Sequence, residues 1–214
     1  MASELMAQQH SMVHRALGTK IVLTVYGDEY FPLLSQAMKM IDGYEDRLTV
    51  NRPVSEVMAV NQAAGRTPKL VSPTTYELVK LAVHYSRENF GFNALIGPLV
   101  KLWKIGFAGA NVPSDQAIKD RLRLIDPYQV LLDDDNRTVY LEQPGMELDL
   151  GGIAKGYIAD RVRDFWLAQG VPAGIINLGG NLVFVGQSPR RADGQWIIGV
   201  QDPQLKRGHD LETV

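Results

Sequence analysis

The chain has 214 residues, of which 45% are apolar and 21% charged, with a net charge of −2. That balance excludes a global field that would recruit nucleic acid or an anionic membrane surface, and the absence of cysteine excludes disulfides, thiolate metal sites and cysteine nucleophiles. No stretch approaches the roughly 18 apolar residues of a membrane span. The N-terminal stretch lacks the apolar run of a signal peptide, so the expected compartment is the cytoplasm, with a trimmed export leader as the alternative.

The β-branched run at 19–25 predicts a strand. From Pro32 onward, Leu34, Ala37, Met38, Ile41, Tyr44 and Leu48 recur at helical spacing and predict an amphipathic helix. Residues 49–57 read as a loop, and Ser55 as the cap of a short helix that ends before Gly65. A longer helix follows over 71–91. Ser72 or Thr74 is its candidate cap, Thr74 with Glu77 fits a capping box, and Gly91 is the candidate left-handed stop. The apolar segment 92–113, broken by Gly and Pro, gives no clear assignment. Ser114 caps a helix through Leu124. Residues 128–150 read as two strands around "DDDNR" and a third that ends at Leu150. A helix over 153–169 closes at Gly170, and 174–187 and 195–203 read as strands with turns. Strands and helices come in irregular order, which predicts an α+β fold rather than a doubly wound sheet. No internal repeat or low-complexity segment interrupts what reads as a single domain over 1–214.

The densest motif is "LDLGGIAKGYIAD", 148–160. Gly151 and Gly156 have Walker spacing, but Tyr157 stands where the lysine belongs and Lys155 precedes the last glycine. Ile153 breaks the Rossmann fingerprint. The physics beneath both motifs survives. Glycines let backbone approach a ligand, a helix begins, and its free N–H groups beside a lysine attract phosphate. Spacing alone leaves a ligand-free tight turn as the alternative. "NLGGN", 177–181, is a second Gly-Gly turn, by itself an ordinary turn or bulge.

Other candidates carry less. "DDDN", 133–136, lacks the alternating ligands, glycine and distal glutamate of a calcium loop and reads as a solvated hairpin turn. His10, His14, His84 and His209 show no zinc spacing, and no G-x-S-x-G elbow is present. Trp103, Trp166 and Trp196 read as core or interface residues. There is no basic and aromatic interleaving that would argue for nucleic acid.

Taken in order, "LDLGGIAKGYIAD", "INLGGN" and "WIIGVQDP" closely resemble the ApbE family, the FAD:protein FMN transferases. "ALGT" (16–19) resembles the family's M-G-T entry, "RPVSEVMAVN" (52–61) its P-D-S-E-x-x-x-x-N loop, and "FNALIGPLVKLW" (92–103) its F-D-P-x-x-x-P-L-x-x-L-W segment. The resemblance runs from Leu17 to Pro203. It implies an α+β fold with mixed or antiparallel sheets and packed helices. It also implies FAD as substrate, Mg²⁺ as the metal, and transfer of FMN from FAD to a Thr or Ser of an acceptor flavoprotein with release of AMP. The residues it points to for FAD are Leu17, Gly18, Thr19, Asn51, Asn93, Asp149, Gly151, Gly152, Lys155, Gly156, Asp160, Gly179, Gly180 and Asn181. The backbone carbonyl of Ala154 matches a family metal ligand. Asp160 comes from the resemblance alone, since periodicity places it off the apolar stripe of its helix.

Several positions depart from the family pattern. Leu17 replaces a Met, Asn93 and Ala94 replace the Asp and Pro of F-D-P, and Val54 replaces an Asp. Asn51 stands where many members carry a Tyr able to cover the flavin ring. The family also continues past "WxVGIxDP" with H-x-x-D-P and a late metal-binding Asp and Thr. This chain ends at "GHDLETV", just where another strand is expected, and so reads as C-terminally incomplete relative to the family, either a fragment or a shortened paralogue. An uncovered sheet edge would favour a partner chain or a homodimer. Three activities fit: Mg²⁺-dependent FMN transfer, hydrolysis of FAD to FMN and AMP, and non-catalytic FAD binding.

Overall fold

The computed structural model describes residues 8–104, 108–205, 208 and 210–213. The start of the stretch read for a leader (1–7) and part of the unassigned segment (105–107) lie outside the described residues. In chain order the elements are β1 (Gln9–Ala16), β2 (Thr19–Tyr26), α1 (Phe31–Leu48), α2 (Glu56–Gln62), β3 (Lys69–Leu70), α3 (Pro73–Arg87), α4 (Gly97–Trp103) and α5 (Asp115–Leu122). There follow β4 (Val130–Asp133), β5 (Thr138–Leu141), α6 (Gly151–Ala168), β6 (Gly174–Leu178), β7 (Asn181–Val185), β8 (Gly199–Gln201) and β9 (Asp210–Thr213). All strand pairs are antiparallel, so the α+β expectation holds.

The chain divides into two compact units, one of residues up to Lys39 and from Ala159 onward, the other Met40–Ile158. The first unit contains a sheet in the order β1-β2-β6-β7 and the pair β8-β9. The predicted strand at 19–25 is β2, an interior strand whose Ile21, Leu23 and Val25 are fully buried. Its partner β1 has no counterpart in the sequence reading. β1 is an edge strand that buries only Ala16 and leaves Val13 exposed, so it carries little of the apolar alternation that announces a strand. The fully buried Trp166 of α6 lies over Gly174 of β6. A Cβ on Gly174 would sit 2.9 Å from both the Trp166 ring and the Thr24 carbonyl oxygen, so the missing side chain is what lets helix and sheet meet.

The second unit packs helices around a sheet in the order β3-β5-β4. Leu78, Val79 and Ala82 of α3, Val139 and Leu141 of β5, and Met146, Leu148 and Leu150 are buried in it. Ser55 caps α2, its hydroxyl accepting from the Met58 N–H at 2.9 Å, and Ser114 caps α5. The unassigned segment contains α4, with Pro98 in its first turn.

Four expectations are corrected. Ser72 is the N-cap position of α3, but its hydroxyl donates to Glu56 Oε2 at 2.8 Å instead of capping, and Thr74 lies inside the helix, so no Thr74–Glu77 box forms. Asn89, with φ 58°, takes the left-handed place expected of Gly91, because α3 stops at Arg87. The strand expected to end at Leu150 is absent, and side-chain and loop bonds hold that segment instead. The strand expected over 195–203 is reduced to β8. The last segment does start a strand, β9, as expected.

Candidate functional site

In the second unit the candidate residues gather around the start of α6. The helix begins at Gly151, two residues ahead of the sequence expectation, because Asp149 caps it: its Oδ1 accepts the Gly151 N–H at 2.8 Å. The Leu150 carbonyl accepts the N–H groups of Ile153 and Ala154 at 3.0 and 2.8 Å. Gly151 and Gly152 are exposed, and Lys155 is half-buried with no ion pair among the described residues. Gly152 packs under Phe92; a Cβ there would stand 3.2 Å from the ring. Gly156 opens onto free space, with nothing within 4 Å of a would-be Cβ. The result is a helix start with exposed Gly151 and Gly152 backbone, flanked by the Asp149 carboxylate and the Phe92 ring, beside an ammonium with no ion pair among the described residues; the ammonium and the helix start suit an anion.

Asp149 also lines a cleft of about 300 Å³ with Asn51, Lys101, Lys104 and Glu147, over apolar side chains that include Val50 and Leu148. The structure thus brings Asn51 and Asp149 to one cavity. Lys101 pairs with Glu147 at 2.6 Å, the carboxylate being the more buried partner. Lys104 holds a left-handed backbone, φ 53°, at the end of α4. Sequence reasoning missed Lys101, Lys104 and Glu147, which carry no motif. Asn93 stands beside this group with its amide already engaged: Nδ2 donates to the Ile125 carbonyl and Oδ1 accepts the Leu95 N–H, each at 2.8 Å. Ala154 is buried in the second turn of α6.

In the first unit two hairpin turns lie at the same end of the sheet. Leu17 and Gly18 (φ 53° and 68°) join β1 to β2, and Gly179 and Gly180 (φ 71° and 101°) join β6 to β7. Such positive φ values define primed two-residue turns. Thr19 packs so closely on Gly179 that a Cβ there would collide with the threonine side chain. The Gly180 N–H donates to Asn177 Oδ1 at 2.8 Å, and Asn181 Nδ2 is buried with no partner among the described residues. Asp160, on α6, pairs with Arg163 at 3.0 Å and is half-exposed, as its place off the apolar stripe suggests.

No group of three or more His, Asp or Glu able to hold a metal is found among the described residues, and no described helix is long and apolar enough to cross a membrane. The "DDDN" stretch is the hairpin turn expected of it: Asp133 Oδ1 accepts the N–H groups of Asp135 and Asn136, both at 3.0 Å. Next to it Lys80 donates to Asp134 at 2.6 Å and, with the Tyr76 hydroxyl, holds that carboxyl below its usual range.

The described class is an antiparallel α+β fold with Lys155 beside a glycine-opened helix start. The comparisons make the class specific. The chain belongs to the ApbE family, whose model matches residues 17–214. It is 47% identical over 188 residues to an FAD:protein FMN transferase of Klebsiella pneumoniae, covering 87% of this chain and 57% of the relative. It is 32% identical to the FAD:protein FMN transferase of Treponema pallidum, covering 92% and 59%. The crystal structure of the ApbE protein of Thermotoga maritima superposes with a TM-score of 0.86 at 27% identity, covering 97% of this chain and 67% of that one. The chain therefore spans somewhat under three-fifths of the length of these curated relatives.

Proposed function

We propose that this chain handles FAD for FMN transfer onto a Thr or Ser of an acceptor flavoprotein. The observation that carries the reading is the start of α6: Asp149 fixing Gly151, exposed glycine backbone, and half-buried Lys155 with no ion pair among the described residues. In the reaction the acceptor hydroxyl oxygen bonds to the FMN phosphorus. The bond from that phosphorus to the bridging oxygen breaks, AMP leaves with that oxygen, and the hydroxyl proton is lost. Such a step needs positioning and charge neutralisation more than covalent help from the protein. In this reading Lys155, with the exposed backbone at Gly152, orients the diphosphate and offsets its charge. The family resemblance separately points to Leu17–Thr19, Gly179–Asn181 and Asp160 of the first unit as candidate FAD contacts. No residue is assigned as the base.

Mg²⁺ is the metal that the resemblance implies, and the Ala154 carbonyl, an oxygen donor, would hold it together with the phosphates of the substrate. When bound, Mg²⁺ supplies charge stabilisation at the phosphate oxygens.

The test is incubation of the chain with FAD, Mg²⁺ and an acceptor flavoprotein, read by intact mass of the acceptor and by AMP release. An FMN adduct with AMP is expected; neither product would reject the reading. A second reading, hydrolysis of FAD to FMN and AMP, is favoured by the cleft itself, where Asn51 stands and no aromatic residue is among the described residues that line it. Under it Asn51→Tyr retains FAD and slows hydrolysis; an unchanged ratio of hydrolysis to retention removes the argument.

A further inference from the structure

We infer that Asn61 is a positioning residue for the FAD site, acting through the backbone of Leu148; the functional part of this inference rests on the proposed FAD reading. Asn61 sits in the last turn of α2, far in sequence from the α6 motif; it closes the "RPVSEVMAVN" stretch of the resemblance but is given no site role there. In the structure its side-chain amide pairs with one residue twice over. Nδ2 donates to the Leu148 carbonyl at 2.9 Å and Oδ1 accepts the Leu148 N–H at 2.8 Å. This is the pairing a neighbouring strand would give, supplied by a side chain where the expected strand is absent. The next residue, Asp149, donates its N–H to the Ala94 carbonyl at 2.8 Å. The two clamps fix the peptide from which Asp149 reaches Gly151.

The other end of α2 grips a second part of the cleft lining. Ser55 donates to the Thr49 carbonyl at 2.6 Å, and Thr49 Oγ1 accepts the Asn51 N–H at 3.1 Å. A helix of seven residues, about 10 Å long, therefore ties Asn51 at its start and Asp149 at its end. Both residues line the same cleft. The strut sets the spacing of the cleft walls and touches no ligand itself.

The test is Asn61→Asp against Asn61→Ala, read as FAD affinity by calorimetry from pH 5 to pH 8. A protonated aspartic acid is close to isosteric with the amide and can donate to the Leu148 carbonyl; the carboxylate cannot and repels it. Glu147 and Asp149 flank the contact and Glu56 lies on the same helix, so neighbouring carboxylates raise the new group's pKa, with Lys101 opposing them. Expected is near wild-type affinity for Asn61→Asp at pH 5, about tenfold weaker binding by pH 8 with wild type as the reference at each pH, and a loss of about tenfold or more for Asn61→Ala throughout. Wild-type affinity of Asn61→Asp at pH 8 would overturn the inference. Should Asn61→Ala fail to fold, the titration of Asn61→Asp carries the test alone. A ligand-free arm separates this inference from the FAD reading. In hydrogen exchange at pH 8, the amides of 148–152 should exchange at least tenfold faster in Asn61→Asp than in wild type, with the amides of α3 unchanged. If wild type binds no FAD, the functional reading fails and exchange alone decides the clamp; equal exchange rates overturn it.

Discussion

Gly151–Gly152 and Gly179–Gly180 look alike in the sequence and do opposite work. The first pair opens α6 with backbone angles that any residue could adopt, since neither glycine has a positive φ. What matters there is that neither glycine adds a side chain of its own between the Asp149 carboxylate and the Phe92 ring. The second pair, at φ 71° and 101°, closes a hairpin that only left-handed residues can turn, and Gly179 also receives Thr19. One pair is chosen for space above the backbone, the other for the shape of the backbone itself.

The largest expected effect falls on the second pair. Gly179→Ala meets both the left-handed penalty and the Thr19 collision, and should cost about 2–4 kcal/mol in urea unfolding. Thr19→Ala in the same chain should recover only the collision part. Full recovery would mean that φ is no constraint and would break the distinction. Gly152→Ala should change stability by less than about 1 kcal/mol, since only the Phe92 ring must yield. Its FAD affinity should nevertheless fall about tenfold in calorimetry, because under the proposed reading displacing the Phe92 ring would reshape the helix start that faces the diphosphate. Gly156→Ala sharpens the contrast further. With ordinary φ and open space, it should stabilise the ligand-free chain by about 1 kcal/mol through helix propensity, while weakening FAD binding.

The smallest effect belongs to a turn that uses no glycine. Asp133 holds its hairpin through bonds from Asn136 and Asp135, and these keep its carboxyl below the usual range. A depressed pKa contributes stability above the ordinary carboxylate value of about 4, and that stability is lost as the pH falls through the folded value. Melting temperature should thus drop modestly below about pH 4, and Asp133→Asn should flatten that part of the profile.

The same contrast explains what was legible in the sequence. The helices α1 and α2 and the strands β2, β6 and β7 follow from local periodicity and capping, and the structure contains them. The glycine turns were visible too, but not which property of glycine each one uses, because φ and neighbours such as Thr19 and Phe92 are tertiary facts. The clamp on Leu148 was invisible for the same reason. A bidentate side-chain amide from Asn61 leaves no periodic signature, and the apolar alternation of 146–150 reads as a strand when it is a braced loop. Lys101, Glu147 and Asn51 meet in a cleft only after folding. Asp160 shows the reverse case: its pattern correctly places it half in solvent, and only family resemblance marks it for the site.

The account stands or falls on the start of α6 as a diphosphate cradle. The most direct measurement is calorimetric titration of FAD into the wild-type chain and into Lys155→Gln, with Mg²⁺ present. Loss of the half-buried ammonium should weaken FAD by about ten- to a hundredfold, the usual worth of a charge-assisted contact, without lowering the melting temperature of the ligand-free protein. Equal FAD affinity in the two proteins would contradict the account.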